Sequence, residues 1–131
     1  MRIDTELLDM LTEQAKASPR LRMNLDLRTS SNDSSQRMLN ALEPGTQVPV
    51  HKHSKSTETV VMLRGRGIQY YFNDNGEVTD EILLDASGPC RMMSVEVGQW
   101  HSLKSLESGT VIFESKDGAY EPLSDEDILR Q

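Results

Sequence analysis

Two histidines separated by one residue are the clearest chemical signal in this sequence. His51 and His53 open the stretch HKHSKSTETV, and an acid, Glu58, follows five residues after the second histidine. On an extended strand, residues i and i+2 point to the same face, so both imidazoles can reach one point. A turn through residues 54–57 can return the Glu58 carboxylate to that point on the neighbouring strand. Two nitrogens and one oxygen then converge, which predicts a metal site.

The types of these side chains indicate which metals the site would bind. Imidazole and carboxylate together suit manganese, iron, cobalt, nickel or zinc, whereas calcium and magnesium prefer shells made only of oxygen. The single cysteine, Cys90, excludes a zinc site built from paired cysteines. Taken alone, a His-x-His pair is also a common feature of polar surface loops. The pattern therefore predicts one divalent transition metal without fixing its identity.

Composition limits the functions open to the chain. Its 131 residues suit one domain, and 36% hydrophobic with 27% charged residues is typical of a globular protein. The net charge of -7 argues against nucleic acid or an anionic membrane as a partner. No apolar run approaches the roughly 20 residues that span a bilayer, and the N-terminus lacks the apolar core of a signal peptide. We expect a cytoplasmic protein.

The period of the hydrophobic pattern changes early in the chain. Residues 4–17 carry apolar side chains at helical spacing, with Asp4 as a plausible N-cap, and Ser18-Pro19 ends the helix. Residues 20–28 then alternate between apolar and polar, as a strand with one buried face does. Residues 29–35 predict a loop and residues 36–45 a further strand. A helix therefore precedes a protein made mainly of strands.

The remainder of the chain reads as short strands joined by turns. Asn75-Gly76 lies between two β-rich stretches and is typical of a hairpin turn. About eight to ten strands with this spacing predict an all-β sandwich or barrel. Ser124 and Asp127 resemble a capping box and predict a short helical turn. We expect one domain overall, with a helix and lead-in (1–19), an antiparallel barrel (20–123) and a C-terminal tail (124–131).

Two glycines frame the histidines in a recognisable motif. Gly45 and Gly65 complete the pattern G-x5-H-x-H-x4-E-x6-G, which resembles the first motif of the cupin superfamily. The second cupin motif is matched in part by CRMMSVEVGQWHSLKS, where Gly98 and His101 fit. The departures are Cys90, Glu96 and Ser105. The resemblance implies a small jelly-roll barrel and makes His101 the fourth metal ligand, provided that the fold returns it to the first motif.

A longer likeness extends over nearly the whole chain. It resembles the WbuC family of cupin-fold metalloproteins in the segments SPRLRMNLDL, QRMLNALEPGT, ETVVMLRGRG, GQWHSLKSLESGTVIFESKDGAY and PLSDED. This resemblance implies a setting in the biosynthesis of lipopolysaccharide O-antigen sugars. It also implies a homodimer, for which residues 20–28 offer the alternating pattern of a strand that can pair.

Three histidines and one glutamate around a six-coordinate metal leave two adjacent positions for a ligand. A small sugar or nucleotide sugar with neighbouring oxygens fits there, and the metal as a Lewis acid would support isomerisation or epimerisation. A non-catalytic sugar-binding or sensing module and an iron-dependent dioxygenase are the alternatives.

Further residues are candidates for catalysis and for the binding pocket. Because every histidine is assigned to the metal, the acid-base group must be a carboxylate, lysine or tyrosine, and Lys55, Tyr70 and Glu114 are candidates. Asn40, a polar residue in an apolar run, predicts a pocket residue. Arg64 does so too, because strand alternation puts it on the same side as Glu58.

Overall fold

Two antiparallel β-sheets and one α-helix make up the computed structural model, which describes residues 1–129. The elements are α1 (Thr5–Ala17), β1 (Arg22–Asp26), β2 (Ser35–Leu42), β3 (Glu58–Arg64), β4 (Arg66–Phe72), β5 (Val78–Asp85), β6 (Met92–Val95), β7 (Trp100–Ser105), β8 (Val111–Asp117) and a 3-10 turn (Asp125–Asp127).

The N-terminal helix forms where the sequence predicts it. The Asp4 carboxylate accepts a hydrogen bond from the backbone N–H of Leu7 at 3.0 Å, so the residue caps the helix as expected. The buried helix residues Leu8, Leu11 and Ala15 pack against side chains of β2 and β8. The helix therefore covers the outer face of one sheet.

The strands form a five-stranded sheet in the order β1-β2-β8-β3-β6 and a three-stranded sheet in the order β5-β4-β7. An apolar cluster fills the space between the sheets, made of Leu42, Val60, Met62, Leu84, Leu103 and Ile112. Since side chains alternate along each strand, the same inward faces continue past this cluster with polar residues. The sandwich is thus closed by apolar packing at one end and lined by polar groups at the other.

A bulge near the end of β3 changes the direction of Arg64. The pairing of β3 with β8 shifts register between Met62 and Arg64. The Arg64 guanidinium consequently reaches the helix, where it donates to Asp9 Oδ1 at 2.6 Å and to Thr12 Oγ1 at 2.9 Å, and also donates to the Gly109 carbonyl at 2.7 Å. The simple alternation that predicted Arg64 as a pocket residue ends at this bulge.

Gly65, the last residue of the first motif, occupies a position that only glycine fits well. Its φ is +85°, and a Cβ atom there would lie 2.8 Å from the Cα of Thr110. Thr110 is fully buried, so its backbone cannot move aside easily. The motif glycine therefore allows close contact between the β3–β4 turn and the start of β8.

Two predicted turns are present with different details. In the hairpin between β4 and β5, Gly76 has a positive φ of +80°, and the Asn73 side chain accepts from the N–H groups of Asn75 and Glu77. The C-terminal turn has Ser124 as its N-cap but no side-chain capping bond, so the capping box is wrong. Residues 130–131 of the predicted tail lie outside the described part of the chain. Among residues 1–129, no helix is long and apolar enough to cross a membrane.

Candidate metal centre

The fold brings His101 back to the first motif. His101 belongs to β7, and it forms a two-way backbone pair with His51: each N–H donates to the other residue's carbonyl, at 3.0 and 2.8 Å. The ring centroids of these two residues are 4.3 Å apart. His51 itself lies outside the named strands, in an extended segment held by this bridge. The pairing of that segment with β7 brings together two histidines that are far apart in the sequence.

One ring nitrogen from each of His51, His53 and His101 lies within 4.8 Å of the others. A carbonyl oxygen can only accept, so Nδ1 of His51 donates to the Pro49 carbonyl and Nδ1 of His101 donates to the Gln99 carbonyl, both at 2.8 Å. These bonds leave the Nε2 lone pairs of both rings facing the common point. Such hydrogen bonds orient the imidazoles of many metal sites.

Two of the ring nitrogens that face inward lack a hydrogen-bond partner among the described residues. Nε2 of His53 and Nε2 of His101 are both buried without a hydrogen-bond partner in residues 1–129. A buried polar atom normally finds a partner, because leaving it unpaired is costly. A divalent ion supplies that partner, so the three histidines fit a metal.

Glu58, the first residue of β3, lies beside two of the histidines. Its carboxylate oxygens are 2.9 Å from His53 Nε2 and 3.7 Å from His101 Nε2, and neither contact has the geometry of a hydrogen bond. Lys116 Nζ is 3.6 Å from the same carboxylate. Burial acts to raise the pKa of Glu58, but the neighbouring His101, His53 and Lys116 outweigh it and hold the pKa below its ordinary value. The carboxylate is therefore ionised and available to a cation.

The environment also keeps His51 in the neutral form that binds metals. Burial first, and then the charge that His101 would carry, lower the pKa of His51 from 6.5 to about 4. At neutral pH this imidazole is unprotonated, so a metal ion does not have to displace a proton from it.

The candidate centre opens into a cavity of about 800 Å³ between the two sheets. Asn40, Gln69 and Glu114 line it. Gln69 is only 1% exposed, and its Nε2 has no partner among the described residues. Burial, and then the charge of Glu58, raise the pKa of Glu114 from 4.5 to about 7. The cavity thus joins the metal-binding groups to a carboxyl group that exchanges its proton near neutral pH.

The four other residues chosen from the sequence take different places. Asn40 lines the cavity, and its Oδ1 is buried without a partner in the described chain. Lys55 lies at the cavity mouth with an 82% exposed side chain, 3.5 Å from Glu121. Tyr70 is not among the lining residues and has its ring near Phe72, on the face opposite Gln69. Arg64 is also not a lining residue, because the bulge in β3 turns it towards the helix.

The lining residues that sequence reasoning missed include Arg22, Gln69 and Lys116. The alternation of β8 could have identified Lys116, which follows Glu114 by two residues and shares its face. Gln69 is a polar residue within the β-rich stretch of β4 and could have been noticed as Asn40 was. Arg22 was predicted on the polar, outward side of its strand.

The C-terminal segment holds the histidine-bearing segment in place. The N–H of Lys52 donates to the Asp127 carbonyl at 3.0 Å, and the N–H of Leu129 donates to the Val50 carbonyl at 2.8 Å. Ser54 Oγ donates to Asp127 Oδ1 at 2.5 Å. These contacts fix both sides of His51 against the end of the described chain.

Solved structures with the same architecture identify the fold. CapF from Staphylococcus aureus, a capsular polysaccharide assembling protein, superimposes with a TM-score of 0.68 at 18% identity, covering 86% of this chain and 32% of CapF. The Schizosaccharomyces pombe Cnp3 cupin domain gives 0.59 at 12% identity, covering 74% of this chain and 64% of that one. Bacillus subtilis oxalate decarboxylase, whose structure was studied for its Mn(II) centres, gives 0.58 at 16% identity, covering 83% and 27%. The fold is a cupin-type jelly roll, and the chain spans about a third of CapF.

Sequence comparison adds a family but no activity. No curated protein matches the chain. Residues 3–84 match the model of a family described as a domain of unknown function, so the chain, with its cupin-type jelly roll and three converging histidines, belongs to the DUF6016 family.

Proposed function

We propose that this protein is a metalloprotein of the WbuC kind that binds one divalent transition metal through His51, His53, His101 and Glu58. The observation that carries the proposal is the pair of buried Nε2 atoms, on His53 and His101, that have no hydrogen-bond partner in residues 1–129 and lie beside the Glu58 carboxylate. Manganese, iron, cobalt, nickel and zinc all suit this donor set.

We further propose that the ligand is a small oxygen-rich molecule, such as a sugar, in polysaccharide or O-antigen biosynthesis. A bound divalent ion supplies Lewis-acid chemistry, which polarises a carbonyl or stabilises an enediolate. The lining amide groups of Asn40 and Gln69 can bind hydroxyl groups, because they offer both donors and acceptors. The likeness of fold to a capsular polysaccharide assembling protein supports this setting.

The reaction that suits the lining groups is isomerisation or epimerisation, in which a proton leaves one carbon and returns to the same or a neighbouring carbon. Glu114 is the group best placed to move that proton, because it lines the cavity and has a pKa raised to about 7. Asn40 acts to lower the pKa of Glu114, but the larger effects of burial and of the Glu58 charge outweigh it. Lys55 is exposed at the mouth and Tyr70 faces away, so neither matches Glu114 in position.

Elemental analysis of the untagged protein tests the metal. We expect about one transition-metal ion per chain, and expect His51→Ala and His101→Ala each to lose it. Ser102→Ala is a matched control, because Ser102 neighbours His101 but donates instead to the Val48 carbonyl at 2.9 Å. Wild-type protein free of metal and equally stable with and without a chelator would contradict the proposal.

Incubation of the metal-loaded protein with sugars and nucleotide sugars tests the reaction. Isomerised or epimerised product that disappears in Glu114→Gln supports the enzyme, whereas a ligand retained unchanged would make the protein a binding module. Oxidised product that requires dioxygen would instead indicate an oxygenase.

We also propose that the protein forms a homodimer in the cytoplasm. β1 (Arg22–Asp26), within the segment 20–28, is an edge strand of the five-stranded sheet among the described residues, so its outer side can pair with a second copy. Light scattering gives the mass in solution. A strictly monomeric protein at high concentration would contradict the dimer without affecting the metal site.

A further inference from the structure

A diagonal row of polar side chains crosses the inner face of the five-stranded sheet. Glu58 on β3 is followed two residues later by Val60, which pairs with Glu114 on β8. Two residues before Glu114, Ile112 pairs with Asn40 on β2. Each step therefore moves two residues along a strand and then across to the neighbouring strand.

The row continues to the edge of the sheet. Two residues after Asn40, Leu42 pairs with Arg22 on β1. Diagonal neighbours in a sheet lie about 7 Å apart, so three steps from Glu58 to Arg22 cover about 20 Å. All four residues line the same cavity. The cavity is accordingly longer than one sugar ring requires.

Unpartnered polar atoms along this row indicate that it binds something. The Oδ1 of Asn40 and the Nε of Arg22 are both buried without hydrogen-bond partners in residues 1–129. From the opposite sheet, Gln69 is 1% exposed, and its Nε2 is likewise unpartnered within the described chain. An acceptor, a cationic donor and a neutral donor thus remain unused in one cavity.

We propose that this cavity binds an elongated acidic saccharide of about two units, with its sugar oxygens at the metal centre and an anionic end at Arg22. The inference rests on the proposed function, because the metal centre fixes one end of the ligand. Arg22 is the natural partner of a carboxylate or phosphate oxygen, since guanidinium binds oxyanions through charge-assisted hydrogen bonds. Asn40, Gln69 and Glu114 contact the hydroxyl groups between the two ends.

The charges along the row oppose a nucleoside diphosphate sugar. Such a ligand carries its charges in the middle, where Glu114 would face them. The cavity lining also includes the carboxylates of Glu121, Glu126 and Asp127, together with the cations Lys55 and Lys116. A ligand with one anionic group at its far end avoids both regions.

Calorimetric titration of the metal-loaded protein tests the inference with matched ligands. The panel contains aldobiouronic acids with gluco and galacto units, the corresponding neutral disaccharides, disaccharide phosphates, and the single uronic acids. We expect an acidic disaccharide to bind at least about tenfold more tightly than its neutral counterpart and than the single uronic acid. The carboxylate and phosphate members show which oxyanion the Arg22 end accepts.

Two cavity variants and one control variant locate the preference within the cavity. Arg22→Gln should remove most of the tenfold preference for acids, so that acidic and neutral disaccharides bind with similar affinity. Arg20→Gln removes the same charge from an exposed residue outside the cavity and should behave as wild type. Gln69→Leu should weaken acidic and neutral disaccharides alike.

The metal content of every variant separates this inference from the proposed function. A protein that holds its metal but binds neutral disaccharides as tightly as acids would overturn the inference alone. So would no binding of any panel member up to about 10 mM, or an acid preference that survives Arg22→Gln. Loss of metal from the wild type would instead refute the proposed function.

Discussion

Replacing His51 by asparagine should change how the stability of the metal-free protein depends on pH. The folded-state pKa of His51 is about 4, against 6.5 for an ordinary histidine. Between these values the unfolded chain binds a proton at this residue that the folded protein does not. His51 therefore makes the folded protein less stable as the pH falls from 6.5 to 4.

The size of the effect follows from the two pKa values. Each pH unit corresponds to about 1.4 kcal/mol, so the difference between 6.5 and about 4 amounts to about 3 kcal/mol. His51→Asn has no titrating group and should lose this dependence. Relative to the wild type, the variant should gain about 3 kcal/mol in its free energy of unfolding between pH 7 and pH 4.

The comparison between variant and wild type is necessary because Glu114 acts in the opposite direction. Its pKa is raised from 4.5 to about 7, so the folded protein binds the extra proton over that range and loses stability as the pH rises. The wild-type curve alone can consequently be nearly flat. The difference curve isolates His51.

Urea denaturation in a chelating buffer, at several pH values from 4 to 7.5, measures the effect. Gln47→Ala is the control, because Gln47 is exposed in the same segment and does not titrate. Parallel curves for His51→Asn and the wild type would refute the reasoning, since they would mean that the histidine titrates normally in the folded protein.

Three further predictions concern other parts of the structure. Glu114→Gln should raise the free energy of unfolding of the metal-free protein at pH 7 by up to about 3 kcal/mol, as measured in urea, and unchanged stability would contradict the raised pKa. Glu58→Gln should weaken metal binding at least about tenfold in a competition assay with a chromogenic chelator, because an anionic oxygen ligand becomes neutral; unaltered affinity would place Glu58 outside the metal's shell. Arg64→Met should lower the free energy of unfolding by about 2 kcal/mol through loss of partly buried hydrogen bonds, without loss of metal. Arg66→Met, which removes a charge that is 45% exposed, should change it by less than about 0.5 kcal/mol, and equal effects of the two variants would show that the Arg64 contacts contribute little.

Much of the architecture could be predicted because local periodicity and burial agree. The helix follows from helical spacing with Asp4 at its start, and the inward face of β3 as far as Met62 follows from alternation. The convergence of His51 with His101 required the family resemblance, because backbone pairing over this separation leaves no local signal in the sequence.

The orientation of a side chain could not be predicted where it depends on strand register or on contacts with distant parts of the chain. Arg64 departs from the expected side because a bulge interrupts alternation after Met62. Tyr70 and Gln69 are neighbours on β4, and only the pairing of Gln69 with Leu103 shows which of them faces inward. The exposure of Lys55 depends on the C-terminal segment that passes the cavity mouth.

The positions of the candidate ligands have a mechanical consequence for the sandwich. Glu58 belongs to the five-stranded sheet and His101 to the three-stranded sheet, while the apolar cluster joins the two sheets at the other end. A metal ion bound by these residues would connect the two sheets at the end opposite the apolar cluster. We therefore expect metal loading to stabilise the packing of the two sheets at this end.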